Sequence, residues 1–350
     1  MSPKYFSVAC IALVCTALVS VAALNLATDP YAQYGTQLVH PVVQESRLEK
    51  IRLLDACDEP PLGLVFGSSR VHKFEPDYLA EHLGIPFFNL GVNHGKPEDF
   101  LALLRHYRSR FHQTPRIAIV GIDPISLSES EPTDARLLGS DLLSSQIIEF
   151  LTVEDQLQRW SDLISWNQTR YSLVSLKNLV LPSKTVAEES FRSDGLIQYH
   201  QREKEIAEGS YDFQSALQYN QQEYEALYRR AAELSGRRCA CIEKFIEECQ
   251  QSDCQVVLFL PPQHPQLARH LSEAITPHDS NHSYRVRALE FIHAMASRKK
   301  VPLFDFTEIE SFNGQADLFV DGVHPLEPNT RRMINAMTHS LTVEHKYALQ

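Results

Sequence analysis

The hydrophobic pattern changes character along the chain. It begins with an unbroken apolar run, Tyr5 to Leu26, that contains no charged residue. A helix of this length rises ~30 Å, enough to cross the hydrocarbon core of a bilayer. The run has no polar face, so an amphipathic core helix does not account for it. Residues 27–60 then read as an extended connector with one helix, roughly Gln44–Asp55. From there short apolar runs alternate with helical periodicity. Leu62–Phe66, Pro86–Leu90 and Arg116–Gly121 predict strands. Lys96–Phe111 predicts a helix with Phe100, Leu103, Leu104 and Tyr107 on one face.

Between about residues 126 and 236 the alternation stops. No buried strand is expected there, and helices are expected over Leu142–Leu151, Val153–Ser165 and Leu217–Leu234. The block reads as a helical insertion. It is either a lid over the C-terminal edge of a sheet or a purely structural subdomain. The alternation then returns. A helix is expected over Arg238–Gln251, a strand over Gln255–Leu260, a helix over Tyr284–Arg298, a strand over Val301–Asp305 and a closing helix over Asn329–Leu341. Continuous apolar strands separated by helices predict a parallel sheet covered on both faces. The expected architecture is therefore α/β, a three-layer α/β/α sandwich with a helical insertion. An apolar membrane anchor or signal segment (1–26) and a connector (27–60) precede the main domain (61–350).

Composition narrows the function classes. Hydrophobic residues make up 43% and charged residues 22%, which excludes a disordered chain. The formal net charge of −11 gives no basic face for nucleic acid. It also means that membrane attachment must be hydrophobic rather than electrostatic. Lys4 precedes the apolar run and no Lys or Arg follows until Arg47, which leaves the main domain outside the cytoplasm. Val21-Ala22-Ala23 is also readable by a signal peptidase, so a cleaved signal stays open beside an uncleaved anchor. The seven cysteines include Cys249 and Cys254 at a helix–strand junction, where a bridge is conceivable and small buried thiols are the simpler reading. No P-loop or GxGxxG is present, and His278 and His282 lack a third ligand, so neither cofactor nor metal is expected.

Two short segments carry candidate chemistry. The first is Phe66-Gly67-Ser68-Ser69-Arg70, directly after a predicted strand. A nucleophilic serine needs an exposed hydroxyl at a sheet edge and backbone N–H groups beside it. The bland alternative is a turn with a capping serine. The second is Asp321-Gly322-Val323-His324, before the terminal helix. A spacing of three places both side chains on one side of a turn, so the Asp can accept from one ring nitrogen and leave the other to take a proton.

Serine after the first strand, a Gly-Asn region at the second and D-x-x-H before the last helix together resemble the SGNH (GDSL-like) hydrolase superfamily. The resemblance covers residues 62–125 and 255–342. It implies Ser69 as nucleophile, since Gly67-Ser68-Ser69 matches the Gly-Asp-Ser block, with Asp321 as orienter and His324 as general base. Asn89-Leu90-Gly91 matches the second block and implies the Gly91 N–H as an oxyanion donor. The third block, Gly-x-Asn-Asp, reads Gly121-Ile122-Asp123-Pro124 here, so an acceptor-only carboxylate stands where an amide is usual. Either Asp123 is protonated or Asn93 supplies the amide. Arg70 either binds an anionic group of the substrate or pairs with a local carboxylate. His94 and His264 read as loop histidines near the same edge, with a place lining the site as the alternative.

The apolar N-terminus, Asp29-Pro30-Tyr31, the Gly-Ser-Ser-Arg block and the helical insertion are similar to a membrane-anchored branch of that superfamily. This branch includes alginate O-acetylation and teichoic-acid D-alanylation proteins. The resemblance implies an extracytoplasmic O-acyltransferase acting on an exported polysaccharide, beside a multi-pass membrane O-acyltransferase. An esterase or deacetylase, or a glycan-binding assembly partner, are the alternatives.

Overall fold

The computed structural model describes residues 2–36, 38, 39, 42, 46–181, 189–275 and 280–348. In chain order its elements are α1 (Pro3–Thr28), α2 (Ser46–Asp55), β1 (Gly63–Phe66), α3 (Pro76–Leu83), β2 (Phe87–Asn89), α4 (Pro97–Phe111) and β3 (Ile117–Gly121). The insertion contributes α5 (Ala135–Gly139), α6 (Asp141–Ser144), α7 (Val153–Ser161), α8 (Trp166–Val180), β4 (Ser190–Phe191), β5 (Ile197–Gln198), α9 (His200–Ala207) and α10 (Phe213–Arg230). Then come α11 (Gly236–Gln250), β6 (Gln255–Leu260), α12 (Pro265–Ala274), α13 (Ser280–Lys299), β7 (Leu303–Asp305) and α14 (Glu327–Ala348). The chain divides into two compact units, Met1–Leu48 with Thr133–Val186, and Glu49–Pro132 with Ala187–Gln350.

The larger unit is built on a five-stranded sheet of order β2-β1-β3-β6-β7, parallel at every pairing. Side chains of a strand alternate between faces. Val65, Ile119, Val257 and Phe259 therefore share one face, where they pack with Leu79 of α3 and Met333, Ile334 and Met337 of α14. On the other face the Phe66 ring meets Phe245 of α11 edge-on at 5.0 Å. α4 packs against α11, tied by the buried pair Arg238–Glu98 at 3.1 Å. The result is a three-layer α/β/α sandwich. β2 lies on one side of β1, and β3, β6 and β7 on the other. The chain thus reverses direction across the sheet at β1/β3, the point where ligands of open α/β sheets collect.

The insertion is less regular than its periodicity suggests. The predicted helix 142–151 is a short helix and a 3₁₀ turn, and 153–165 ends at Ser161 before a 3₁₀ turn, Asp162–Ile164. Helices α5, α8 and α9 were not expected, nor, outside the insertion, were α3 and α12. Nor was the β4–β5 hairpin, whose two-residue strands leave no periodicity to read. The block also divides between the units. Residues 133–186 group with the N-terminal segment, whereas α9 and α10 belong with the sheet.

In the smaller unit α8 packs on the C-terminal end of α1. Asn25 Nδ2 donates to Leu163 O (2.7 Å) and Thr169 Oγ1 (2.9 Å), and Thr28 Oγ1 donates to Ser172 Oγ (2.7 Å). The polarity of α8 is inverted. Gln168, Ser172 and Ser175 are buried, while Trp166, Leu173 and Val180 are exposed. α1 itself is long and apolar enough to cross a membrane.

Candidate active site

β1 ends at Phe66, and the chain turns sharply through Gly67. A Cβ at Gly67 would meet Val71 Cγ1 at 2.5 Å, so only glycine lets the turn close. Ser68 caps the following 3₁₀ turn by accepting from the Arg70 N–H at 3.4 Å. That leaves Ser69 to face the site. Its Oγ lies 2.8 Å from His324 Nε2. His324 Nδ1 lies 2.8 Å from Asp321 Oδ2. A carboxylate only accepts, so Nδ1 carries the proton and Nε2 is left as the acceptor for the Ser69 hydroxyl.

The loop that carries Asp321 and His324 is over-determined. Asp321 Oδ1 accepts from the Val323 and His324 N–H groups, each at 2.9 Å. The Val320 N–H donates to His324 O at 2.8 Å. Gly322 N–H donates to Asn220 Oδ1 of α10 at 2.8 Å, and Gly322 O accepts from the His264 N–H at 2.9 Å. Burial pushes the Asp321 carboxyl up, but His324 and these N–H donors outweigh it and hold the group below its ordinary value.

The other residues named from the sequence have different places. Gly91 is not a free oxyanion donor, because its N–H donates to Asn89 Oδ1 at 2.9 Å. Asn93 stands half-buried in the loop after β2, and the Val92 N–H of that loop donates to Gly67 O at 3.1 Å. Arg70 does not face a ligand. It is buried, with Nη1 2.8 Å from Asp123 Oδ2 and Nη2 on the carbonyls of Pro261 and Pro262. Asp123 thus faces the Arg70 guanidinium as its hydrogen-bond acceptor. Tyr224 of α10 approaches the same oxygen at 3.5 Å. His264 caps α12, with Nδ1 accepting from the Gln266 N–H at 3.2 Å, and burial lowers its pKa. His94 is exposed in a left-handed conformation. His278 and the side chain of His282 lie outside the described residues. Cys249 and Cys254 are buried free thiols, and no bridge joins them.

Several residues shape the site in roles that were not read from the sequence, although Asn89 lies in the second block. Asn89 is fully buried and joins β2 to the nucleophile turn, with Nδ2 donating to Val71 O (2.7 Å) and Phe74 O (3.0 Å). Lys50 of α2, also fully buried, donates to Asn89 O at 2.7 Å and lies over the Phe191 ring at 4.5 Å. Glu223 of α10 is half-buried. Burial raises its pKa, His324 opposes that and Asp321 adds to it, so this carboxyl lies in the field of the pair. Polar residues inside a strand end or an amphipathic helix were the only available signals.

No family model matches the sequence. No curated protein matches it either. Among solved structures, one described as a "putative acylhydrolase" from Bacteroides fragilis is 11% identical, over 85% of this chain and 94% of its own, with a TM-score of 0.37. A GDSL-like lipase from Bacteroides thetaiotaomicron is 10% identical, over 85% of this chain and 98% of its own, also with a TM-score of 0.37. Overlap at that level assigns no activity. The fold follows from the sheet order above, and the chemistry from the site's own geometry.

Proposed function

We propose that this chain is a serine acyl-transfer enzyme of the SGNH type, working outside the cytoplasm as an O-acyltransferase on an exported polysaccharide. The observation that carries the reading is the unbroken relay from Ser69 Oγ through His324 to Asp321, two contacts of 2.8 Å each. In the first half-reaction Ser69 Oγ attacks the acyl carbonyl and passes its proton to His324 Nε2. Asp321 stabilises the imidazolium that forms. The tetrahedral intermediate collapses to acyl-Ser69, and His324 returns the proton to the leaving group. In the second half an acceptor hydroxyl gives its proton to His324 Nε2 and takes the acyl group, which regenerates Ser69. A glycan hydroxyl makes this transfer, and water makes it hydrolysis. In this reading a multi-pass membrane O-acyltransferase supplies the acyl group.

The oxyanion donors are the weak part of the site. The Ser69 N–H opens the 3₁₀ turn, where no acceptor exists within the turn. Asn93 is the side-chain donor in this reading. Gly91 is engaged by Asn89 and Asp123 by Arg70. Loss of one donor costs about 100–1000-fold in rate. A weak hole favours a specialised donor and acceptor over free hydrolysis.

The test is labelling of the full chain in detergent by a serine-directed fluorophosphonate. Ser69→Ala and His324→Ala should abolish labelling, and Ser68→Ala should only reduce it. If Ser68→Ala silences the protein while Ser69→Ala does not, the nucleophile is misassigned. Labelling with no turnover of an activated acetyl ester, with or without an oligosaccharide acceptor, would favour the glycan-binding alternative. Turnover that the acceptor does not stimulate would favour the esterase.

A further inference from the structure

The smaller unit displays apolar side chains that a water-soluble surface does not need. Among the described residues, only Tyr219 and Val286 of the exposed large hydrophobic side chains lie outside it. Nine of the rest belong to α1. The others are concentrated on the insertion helices, among them Leu157, Trp160, Ile164, Trp166 and Leu173. Both tryptophans of the chain are in this group, 58% and 76% exposed.

Position along α1 explains the arrangement. From Tyr5 to Ser20 every α1 residue is exposed, and cover begins at Val21. Asn25 pairs with Thr169, and Thr28 with Ser172, so α1 and α8 run in the same direction where they touch. Trp166 starts α8 three residues before Thr169, ~4.5 Å nearer the N-terminal side at helical rise, level with about Ala22. The stretch from Tyr5 to Ala22 rises ~27 Å, close to the ~30 Å of a hydrocarbon core. The turn Asp162–Ile164 and its flanking tryptophans thus stand where α1 leaves that core. Tryptophan concentrates at this depth, since its ring is apolar and its N–H needs a polar partner.

We infer that the α7–α8 segment is a membrane-interface collar around α1, with Trp160, Ile164 and Trp166 seated in the headgroup region of a lipid bilayer. The patch is continuous with the apolar surface of α1, which argues for lipid as the occupant. The inference rests on α1 as a membrane span and is independent of the acyl-transfer chemistry.

The experiment uses the full chain in phosphatidylcholine liposomes. Because the chain has two tryptophans, its intrinsic fluorescence reports only this patch. Lipids brominated high on the acyl chain should quench at least about twofold more than lipids brominated near the chain end. Aqueous iodide should quench little. Trp160→Phe and Trp166→Phe read each remaining ring alone, and each should follow the same depth order. Free quenching by iodide with none by brominated lipid would place the rings in water and overturn the inference. Shielding from both, lost as protein is diluted in lipid, would show a second copy covering the patch and overturn it equally. Failure of the chain to float with the liposomes would remove the span itself, a result distinct from the other two.

Discussion

Asp123→Asn is the sharpest test of how the site is held. On the motif alone this change restores an oxyanion amide and should speed the reaction. The structure predicts the opposite. Asp123 Oδ2 is 2.8 Å from Arg70 Nη1, with the two residues 5% and 2% exposed. Removing one member of a buried pair strands the other charge, at a cost of about 3–5 kcal/mol. Arg70 keeps the Pro261 and Pro262 carbonyls as acceptors, so the lower end, about 3 kcal/mol, is expected. For a unit of this size the melting temperature should fall by about 6–12 °C. The check is thermal unfolding of the full chain in detergent by near-UV circular dichroism, with fluorophosphonate labelling well below the transition. Labelling should slow, because Arg70 follows Ser69 in the same turn. Arg70→Met with Asp123→Leu should recover most of the lost stability, since an apolar pair needs no compensation. An Asp123→Asn protein that melts at the wild-type temperature and labels faster would refute the reasoning.

Three further variants probe the same geometry. Asp321→Asn should lower the labelling rate by about 10³–10⁴-fold while leaving the fold intact. Because folding lowers the Asp321 pKa, the carboxylate stabilises the native state above the ordinary value of 3.8 and stops doing so as pH falls through the folded value. The stability gap between wild type and Asp321→Asn, measured by denaturant titration, should therefore close below about pH 4. Gly91→Ala puts a Cβ 2.4 Å from Val71 Cγ2, and overpacking of that kind costs about 1–3 kcal/mol, with labelling lost as the Ser69 turn shifts. Asn220→Ala leaves the buried Gly322 N–H without its acceptor, at about 1–3 kcal/mol, and should reduce labelling more than the equally buried but remote Thr338→Ala.

The parts of this protein that were legible in sequence are those with short-range signatures. β1, β3 and β6 read directly, because strands covered on both faces must be apolar throughout. Ser69, Asp321 and His324 were singled out by local motifs, and the structure places their side chains in contact. What failed to read depends on long-range partners. The Gly91 N–H was taken as free because no rule on spacing predicts that the Asn89 side chain, two residues back, turns to accept it. Arg70 had two readings until the fold brought Asp123 beside it. Lys50, Asn220 and Tyr224 reach the site from helices whose patterns show only which face is apolar. In α8 the periodicity was present but inverted, with serines inward and tryptophan outward, and a rule written for water assigns such a helix to nothing.

Ser69 and His324 lie 255 residues apart in the chain. A contact of that range closes late, after the intervening strands have been laid down, because loop-closure entropy must be overcome first. The serine is therefore made and delivered well before its base. Until the D-x-x-H loop settles onto α10 and α12, the hydroxyl is an ordinary alcohol. The Ser69 hydroxyl thus meets its imidazole acceptor only when the fold is complete.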